Sequence, residues 1–532
     1  MGDFIWEYII MAEGEFYLMR SKKAMINIVS LLAYEIVAIV CGFVLPYFIL
    51  SAYGSSYNGI TSSIIQFLGY AALMKAGIGG VTQAALYKPL ADNNAKDISA
   101  IINATDVFFR KVAVFFSVSL ILFASIYPMF VQDVFDWFFT FTLVVILGIN
   151  TFAQYFFGLT YQFLLTADQR QCVISFVQIG TTLLNTTIAV LLIRFGAGIH
   201  VVKFVSALVF SLNPIIINLY ARKKYNINKE IPANNTAIKN RWDCLGLEVA
   251  NFVNTNTDMF ILTILTNVYE VSVYTIYFMI TNGIRKFINA FFNGIRPVFG
   301  HMFARREIEA IYCYLRLYEQ ITFCLTNFFY SVVGVMLLPF VQVYTKGIAD
   351  VEYIRPAFAY VLVIATMINS YRIPYQSIVT VVGHFKQTRN GAFFEAGMNI
   401  VISITLVWRF GLIGVAAGTL CAAIFRTIQY ATYMSKNIIK RSLWLPTKRL
   451  LFSIIDFVVI LFISKLLSLN QPDGYMEWAL QSVLVCFVAG IVILGTEIIF
   501  YSKDLQLTFE TITRAIGNKK NYKHEHNNEG EM

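Results

Sequence analysis

The chemistry of this chain is concentrated in ionisable side chains that lie within long apolar segments. A charge in such a segment is costly, so it normally faces a polar cavity or a partner of opposite charge. Cations outnumber acids among the deepest of these residues: Lys75, Arg285, Lys286, Arg372 and Arg426 against Glu35 and Asp258. Because lysine binds anions and the forked guanidinium of arginine matches phosphate oxygens, this excess predicts an anion site, with phosphate or pyrophosphate as the best match.

Two of the cations are predicted to share one ligand. Lys75 and Arg285 each lie about ten residues from the inner end of a predicted helix, which places both roughly 15 Å into the membrane. Lys286 adds a charge beside Arg285, and a single neighbouring acid cannot neutralise both. Arg372 lies just before a proline, where a kinked helix frees backbone groups. For Arg372 and for Arg426, structural and functional roles are equally open.

Polar residues also follow one helical face in two adjacent segments. Steps of three and four residues separate Glu248, Asn251, Thr255 and Asp258 in one segment, and Asn282, Arg285 or Lys286, Asn289 and Asn293 in the next. Such a stripe lines a polar cavity or joins helices by hydrogen bonds. For the asparagines both roles stay open, and we predict Asn251, Asn282 and Asn289 as polar cavity residues. The buried acids Glu35 and Asp258 are candidates for binding a coupling ion, H⁺ or Na⁺.

Other acids lie closer to the predicted ends of their helices. Each is expected within about one turn of the cytoplasmic end, where a side chain reaches the headgroups. We expect these acids to anchor helices at the interface or to pair with helix-end groups. They are Glu248, Glu395, Asp456 and Glu497.

The segments that position these residues are long enough to cross a membrane. The chain has 532 residues, of which 58% are hydrophobic and 14% charged, too few polar residues to cover a water-soluble protein of this size. Apolar segments of about 20 residues, the length of a spanning helix, recur without leaving room for a soluble domain. About fourteen spanning helices are predicted, at residues 24–50, 59–87, 112–131, 137–165, 173–193, 201–221, 244–266, 271–294, 318–342, 356–381, 391–408, 412–434, 450–467 and 478–501.

The basic residues indicate how these helices are oriented. A net charge of +10 is compatible with nucleic-acid binding, but most Lys and Arg residues lie in short loops between apolar segments, so no nucleic-acid partner is expected. Loops that follow even-numbered helices are basic and the others carry little positive charge, which satisfies the positive-inside rule. Both termini are therefore predicted to be cytoplasmic. This orientation places Lys203 on the outer side, at the junction of the fifth and sixth helices.

A faint internal repeat divides the predicted helices into two halves. Arg194-Phe195-Gly196 ends the fifth helix and Arg409-Phe410-Gly411 ends the eleventh, and parallel repeats of this kind are typical of two-lobed transporters. The predicted fold class is an all-α polytopic membrane protein. Its parts are a cytoplasmic N-terminal segment (1–23), an N-lobe (24–221), a basic cytoplasmic linker (222–243), a C-lobe (244–434), two appended helices (435–501) and a cytoplasmic tail (502–532).

Catalytic and cofactor motifs are missing from the sequence. It contains no nucleotide-binding loop, zinc-protease motif, nucleophile elbow or dinucleotide fingerprint. Its seven cysteines are scattered, without the spacing of a metal site or a disulfide framework. We therefore predict a transporter rather than an enzyme, with no cofactor and no metal.

Several short motifs resemble the first helices of bacterial polysaccharide repeat-unit flippases. These proteins are the Wzx-like members of the multidrug/oligosaccharidyl-lipid/polysaccharide exporter superfamily. The motifs are Gly54-Ser55-Ser56-Tyr57-Asn58-Gly59, Ile65-Gln66-Phe67-Leu68, Ala76-Gly77-Ile78-Gly79-Gly80, Leu86-Tyr87-Lys88-Pro89-Leu90 and Phe108-Phe109-Arg110, with Thr257-Asp258 and Tyr274 further along the chain.

The resemblance implies two six-helix lobes around a central cavity that opens alternately to the two sides of a bacterial cytoplasmic membrane. The implied cargo is a short oligosaccharide on undecaprenyl pyrophosphate, destined for capsule, exopolysaccharide or O-antigen. Membrane lipids, H⁺ or Na⁺, a polysaccharide polymerase and glycosyltransferases are the implied partners.

Three other functions remain as alternatives. A lipid II flippase also carries a pyrophosphate, and sequence does not distinguish the sugar. A multidrug or cation antiporter of the same superfamily fits less well, because buried cations repel a cationic drug. A membrane-embedded polymerase or ligase fits least, because it would need a long outer loop to present acid and base residues.

Overall fold

The computed structural model describes residues 22–70, 92–168, 170–233, 256–293, 307–467 and 471–506, with short stretches between residues 78 and 90 and at Phe299, Met302 and Phe303. Within these residues the regular elements are helices, and no strand occurs. The helices are α1 (Lys22–Tyr53), α2 (Ser55–Leu68), α3 (Ala95–Ile126), α4 (Trp137–Ala153), α5 (Leu159–Ala167), α6 (Gln171–Arg194), α7 (Ile199–Tyr225), α8 (Asn256–Leu265), α9 (Val268–Asn293), α10 (Ile308–Tyr344), α11 (Pro356–Tyr371), α12 (Ile373–Val381), α13 (Phe385–Phe410), α14 (Leu412–Tyr433), α15 (Trp444–Leu466) and α16 (Tyr475–Phe500).

The chain is a multi-pass membrane protein. Among the described residues, 10 helices are long and apolar enough to cross a membrane, and their outer surfaces expose many large hydrophobic side chains. The predicted second and seventh helices lie partly outside the described residues, so the total of fourteen stays a prediction. The all-helical polytopic fold class is confirmed.

Each half of the chain packs around apolar residues of its own. In the first half α6 lies between α1 and α7, and α4 packs against α7 and α3. In the second half α14 lies against α13 and α11, while α10 contacts α11, α15 and α16. Among the described buried residues of the largest apolar cluster, Leu50 alone comes from the first half. The two halves meet mainly where α2 packs against α9.

Each of the two related tripeptides ends a helix with a glycine of positive φ. Gly196, after α6, has φ +76°, and Gly411, after α13, has φ +54°. Glycine adopts these left-handed conformations without steric cost, so the chain can turn directly into the next helix.

Several helices begin earlier than predicted from hydropathy. The Asn94 side chain accepts hydrogen bonds from the backbone amides of Lys96 and Asp97, so α3 begins at Ala95 instead of at residue 112. α10 begins at Ile308 and α13 at Phe385, both without a side-chain hydrogen bond at the N-cap. An apolar run predicts only the apolar part of a helix, and the polar first turns of these three helices lie outside it.

Candidate functional site

Arg285 lies on α9 without an acidic partner. Its Nη2 donates a hydrogen bond to Oδ1 of Asn282 at 2.9 Å, and none of the acids in the described part of the chain forms an ion pair with it. The guanidinium is partly buried, whereas Lys286 is exposed. Arg285 also interacts electrostatically with Arg372. The structure therefore brings these cations into one region of the second half. Lys75 and Asn251 lie outside the described residues, and Asn289 is partly buried on α9.

Asp258 is buried within the second half and accepts hydrogen bonds from uncharged donors. The Tyr274 hydroxyl donates to it at 2.8 Å and the Thr419 hydroxyl at 2.7 Å. The Asn399 amide lies 3.4 Å from its other oxygen. Four helices, α8, α9, α13 and α14, supply this cluster. None of the described cations pairs with the carboxylate, so its negative charge is not balanced by the protein residues that surround it.

Oxygen atoms accumulate next to Asp258. The Ser403 hydroxyl donates to Oδ1 of Asn399 at 3.0 Å and lies 3.3 Å from the carbonyl oxygen of Val415. The Thr419 hydroxyl is also 3.3 Å from that carbonyl. The carboxylate, amide, hydroxyl and carbonyl oxygens of this cluster are the ligand types that hard cations prefer.

Arg372 and Arg426 share a carboxylate. Glu395 accepts a hydrogen bond from Nη1 of Arg372 at 2.6 Å and lies 3.3 Å from Nε of Arg426. Arg426 is buried, stacks on the Tyr430 ring with 4.1 Å to its centroid, and donates to the carbonyl oxygen of Thr388 at 3.0 Å. Arg372 lies at the break between α11 and α12, so a break at this predicted kink is present. Together Arg372, Arg426 and Glu395 carry a net charge of +1.

Three of the acids expected near the ends of their helices are buried between helices. Glu395 lies about three turns inside α13, because that helix begins at Phe385. Asp456 accepts from Asn327 at 3.1 Å, and Glu497 accepts from Gln320 at 2.7 Å. All three acids are buried. Hydropathy placed them by their distance from the end of an apolar run, whereas neighbouring helices supply the polar partners. Glu248 lies outside the described residues.

Glu35 is not brought to the Asp258 cluster. It lies on α1, in the first half, and is partly buried. None of the described residues forms a hydrogen bond or an ion pair with it. The two predicted coupling acids are therefore separate features of the structure.

An apolar groove adjoins the helix that carries Arg285. The groove has a volume of about 750 Å³ and is bounded by α1, α9, α10 and α16. From α9 it receives Gly283, Ile284 and Phe287, which flank Arg285 and Lys286 in sequence. Its walls are otherwise aliphatic and aromatic, so it suits a hydrocarbon chain rather than a polar ligand.

The Gly54–Gly59 motif joins the two halves at one end of the molecule. The Ser55 hydroxyl donates to Asp350, so the Tyr353 hydroxyl, 2.5 Å away, donates to Ser55. Ser272 lies 3.0 Å from Tyr353 and accepts from Asn58 at 3.0 Å. Burial raises the pKa of Tyr353, so its phenol stays protonated and able to donate. We call Ser55, Asn58, Ser272, Asp350 and Tyr353 the latch.

Close helix packing accompanies the latch. A Cβ at Gly59 would lie 1.8 Å from the carbonyl oxygen of Val268, so only glycine lets α2 approach α9 this closely. Gly54 has φ +90° and directs the amide of Ser55 toward Asp350. The latch residues could not be predicted as a group, because Ser55 and Asp350 are far apart in the sequence.

No protein-family model matches the chain, and neither does any curated protein. Solved structures do match. An inward-facing multidrug resistance MATE family transporter of the MOP superfamily has a TM-score of 0.58 at 14% identity, over 75% of this chain and 95% of the other. The lipid II flippase MurJ, in an inward closed conformation, has a TM-score of 0.62 at 15% identity, over 88% and 99%. The chain shares the fold of these solved structures.

A third solved structure is similar to the chain to the same degree. A MOP superfamily transporter from Pyrococcus furiosus has a TM-score of 0.57 at 14% identity, over 80% of this chain and 98% of the other. Identities this low show the MOP fold alone. Within the MOP fold, the charged residues described above lie mainly in the second half, and the latch lies between the halves.

Proposed function

We propose that this protein is a flippase that moves undecaprenyl-pyrophosphate-linked oligosaccharide repeat units from the inner to the outer leaflet for cell-surface polysaccharide synthesis. The observation that carries the proposal is the position of Arg285 and Lys286 on the helix that also lines the apolar groove. The groove receives one face of α9, and Arg285 and Lys286 project from other faces of the same helix, so a ligand that reaches both would carry an anionic group and a long hydrocarbon chain. A pyrophosphate attached to a polyprenyl chain has this chemistry.

Arg285 is the best candidate for the anion. It is partly buried and its hydrogen bond goes to a neutral amide, so donors of its guanidinium remain for an oxyanion. Lys286 adds a flexible second charge. Arg372 and Arg426 share Glu395, and we assign them a supporting role that keeps this part of the cavity cationic. Lys75 remains a proposed contributor.

We assign Asp258 to ion coupling. A buried carboxylate with neutral donors around it gains from binding a cation, because no protein charge balances it. The adjoining oxygens of Asn399, Ser403, Thr419 and Val415 suit Na⁺. Protonation of the carboxylate would neutralise it equally well. Glu35 remains a second, separate candidate.

Alternating access provides the transport cycle. The latch holds α2 against α9 at the end that the positive-inside rule places outside the cell. Opening toward the outside would therefore require the Ser55–Asp350 contact to break. Hydrogen bonds of this kind can be exchanged for water at modest net cost, which suits a gate that opens and closes repeatedly.

A lipid II flippase is the second candidate. The likeness to the lipid II flippase MurJ covers 88% of this chain, and lipid II also joins a polyprenyl chain to a sugar through pyrophosphate. A multidrug antiporter fits the cationic region less well, because a cationic drug would be repelled.

The test is deletion of the gene followed by analysis of lipid-linked sugars in each leaflet. We expect an undecaprenyl-pyrophosphate oligosaccharide to accumulate on the inner leaflet and wild-type protein to restore its export. Accumulation of lipid II would support the second candidate and contradict the first. Unchanged lipid-linked sugars, together with new sensitivity to drugs, would contradict both flippase functions.

A further inference from the structure

A second cavity lies within the first half of the chain. It has a volume of about 420 Å³ and is bounded by α1, α2, α4, α5, α6 and α7, together with the π-helical turn Gln154–Gly158 that joins α4 to α5. Its polar lining consists of Asn150, Thr151, Gln154, Asn185, Lys203 and Ser206. Tyr155 and Phe210 add aromatic surface. None of these residues belongs to the site described in the second half.

Lys203 is the charged residue of this cavity. The side chain is 7% exposed, although its position near the beginning of α7 had predicted an outward-facing loop charge. None of the acids in the described ranges forms an ion pair with it, and no described group accepts a hydrogen bond from its ammonium. A buried, unpaired ammonium is unfavourable unless it loses its proton or a ligand supplies negative charge.

Buried acceptors in the same cavity are also unsatisfied. Oδ1 of Asn150, Oδ1 of Asn185 and Oγ of Ser206 have no hydrogen-bond partner. Asn185 is 3% exposed and Ser206 is 9% exposed. Buried polar groups of this kind normally have partners. Water could satisfy the acceptors, but it would leave the charge of Lys203 unbalanced.

The ligand that satisfies both kinds of group carries an anionic acceptor and several hydroxyl donors. A cavity of about 420 Å³ lies within the usual size range for small-molecule sites. Aromatic faces beside amides suit the alternating apolar and polar surfaces of a sugar ring. A carboxylate-bearing sugar therefore matches the charge, the acceptors and the volume together.

We propose that this cavity is a binding site for an acidic sugar, whose carboxylate pairs with Lys203 and whose hydroxyls donate to Asn150, Asn185 and Ser206. The proposal rests on the proposed function, in which the cargo is an oligosaccharide. It adds that a uronic acid or a similarly charged sugar is recognised separately from the pyrophosphate. Recognition at two sites would let the transporter select its repeat unit by sugar charge.

The test is binding of glucuronate, glucose and acetate to the purified full-length chain in lipid nanodiscs. Glucose supplies the hydroxyls without the charge, and acetate supplies the charge without the hydroxyls. We expect glucuronate to bind at least about tenfold more tightly than either. Equal affinity for glucuronate and glucose would overturn the proposal, and so would equal affinity for glucuronate and acetate.

Variants of Lys203 and Ser206 test which groups of the cavity bind the sugar. Lys203→Gln should remove the preference for glucuronate over glucose, and Lys203→Arg should retain it. Ser206→Ala, which removes a hydroxyl without altering charge, should weaken glucuronate binding and leave acetate binding unchanged. Persistence of the glucuronate preference in Lys203→Gln would overturn the assignment. If Lys203→Gln does not fold, an unchanged glucuronate affinity in Ser206→Ala would overturn the assignment.

Failure of this proposal is distinguishable from failure of the proposed function. An Arg285→Gln variant should lose flipping of the lipid-linked substrate while still binding free glucuronate. Absence of glucuronate binding in a protein that exports the lipid-linked oligosaccharide would reject the acidic-sugar site alone. Glucuronate binding by a protein whose deletion changes no lipid-linked sugar would reject the flippase function instead.

Discussion

Ser55 donates two hydrogen bonds to Asp350, one from its backbone amide at 2.7 Å and one from its hydroxyl at 2.6 Å. The contact joins the beginning of α2 to the segment between α10 and α11. Both halves of the molecule are therefore linked through one carboxylate. Glycine at position 54 makes this contact possible, because a Cβ there would lie 2.9 Å from the Asp350 carboxylate.

Weakening this contact should open that end of the molecule. Asp350→Asn removes the charge that accepts both hydrogen bonds and should shift the equilibrium by about 1–3 kcal/mol toward the open form. Distances between spin labels at Ser51 and Ala349, both exposed, would report the change in a variant without native cysteines. Glu352→Gln, on the same segment, is the matched control. Identical distance distributions in the two variants would contradict the gate.

Neutralising Arg285 should impair transport of a pyrophosphate-linked lipid. Arg285→Gln keeps a polar side chain and removes the charge, so we expect a loss of about tenfold or more in flipping rate. Arg285→Lys should be intermediate, because lysine lacks the forked donors. Flipping is measured in vesicles that contain the lipid-linked oligosaccharide. Arg409→Gln, an exposed residue at the end of α13, is the control, and equal rates for Arg285→Gln and the control would refute the role.

Removing the shared carboxylate should destabilise the protein. Glu395→Gln leaves Arg372 and Arg426 close together without an acid, a change that costs about 3–5 kcal/mol when a buried ion pair is broken. Glu395→Asp should lose less, since it keeps the charge. Thermal unfolding in detergent measures the effect, with the exposed Glu309→Gln as reference. An unchanged unfolding midpoint for Glu395→Gln would show that the shared pairing contributes little.

Asp258→Asn should uncouple transport from the ion gradient. The asparagine amide has nearly the same size as the carboxylate but is uncharged, so a cation or proton is no longer attracted to position 258. Transport into vesicles should then be equally fast with and without Na⁺ or pH gradients. Asp456→Asn is a matched control, because Asp456 is also buried and also accepts from neutral donors. Gradient dependence that survives in Asp258→Asn would exclude this residue from coupling.

Filling the apolar groove should block the lipid chain. A Cβ at Gly283 meets no atom within 4 Å, so Gly283→Leu adds volume to the groove without a clash. We expect slower flipping with little change in thermal stability. Gly490→Leu is the control, since a Cβ there also meets no atom within 4 Å and Gly490 does not line the groove. Normal flipping by Gly283→Leu would argue against a lipid chain in the groove.

Composition and apolar run length determined the class of this protein without a structure. Transfer of about 20 apolar residues into a bilayer is favourable whatever the neighbouring helices are, so the helical segments were predictable one at a time. The helix ends at Gly196 and Gly411 were also predictable, because a turn at a glycine depends on local sequence. The cations on α9 were equally visible, since they interrupt an apolar run.

The partners of the buried charges could not be predicted from hydropathy. Glu395 was expected near a helix end and lies about three turns inside α13, between Arg372 and Arg426. Lys203 was counted among the outward-facing charges and lines a cavity. Hydropathy measures transfer out of water and does not distinguish lipid from the interior of the protein. Whether a buried charge meets an acid, a ligand or neither depends on helices that are distant in sequence and adjacent in space.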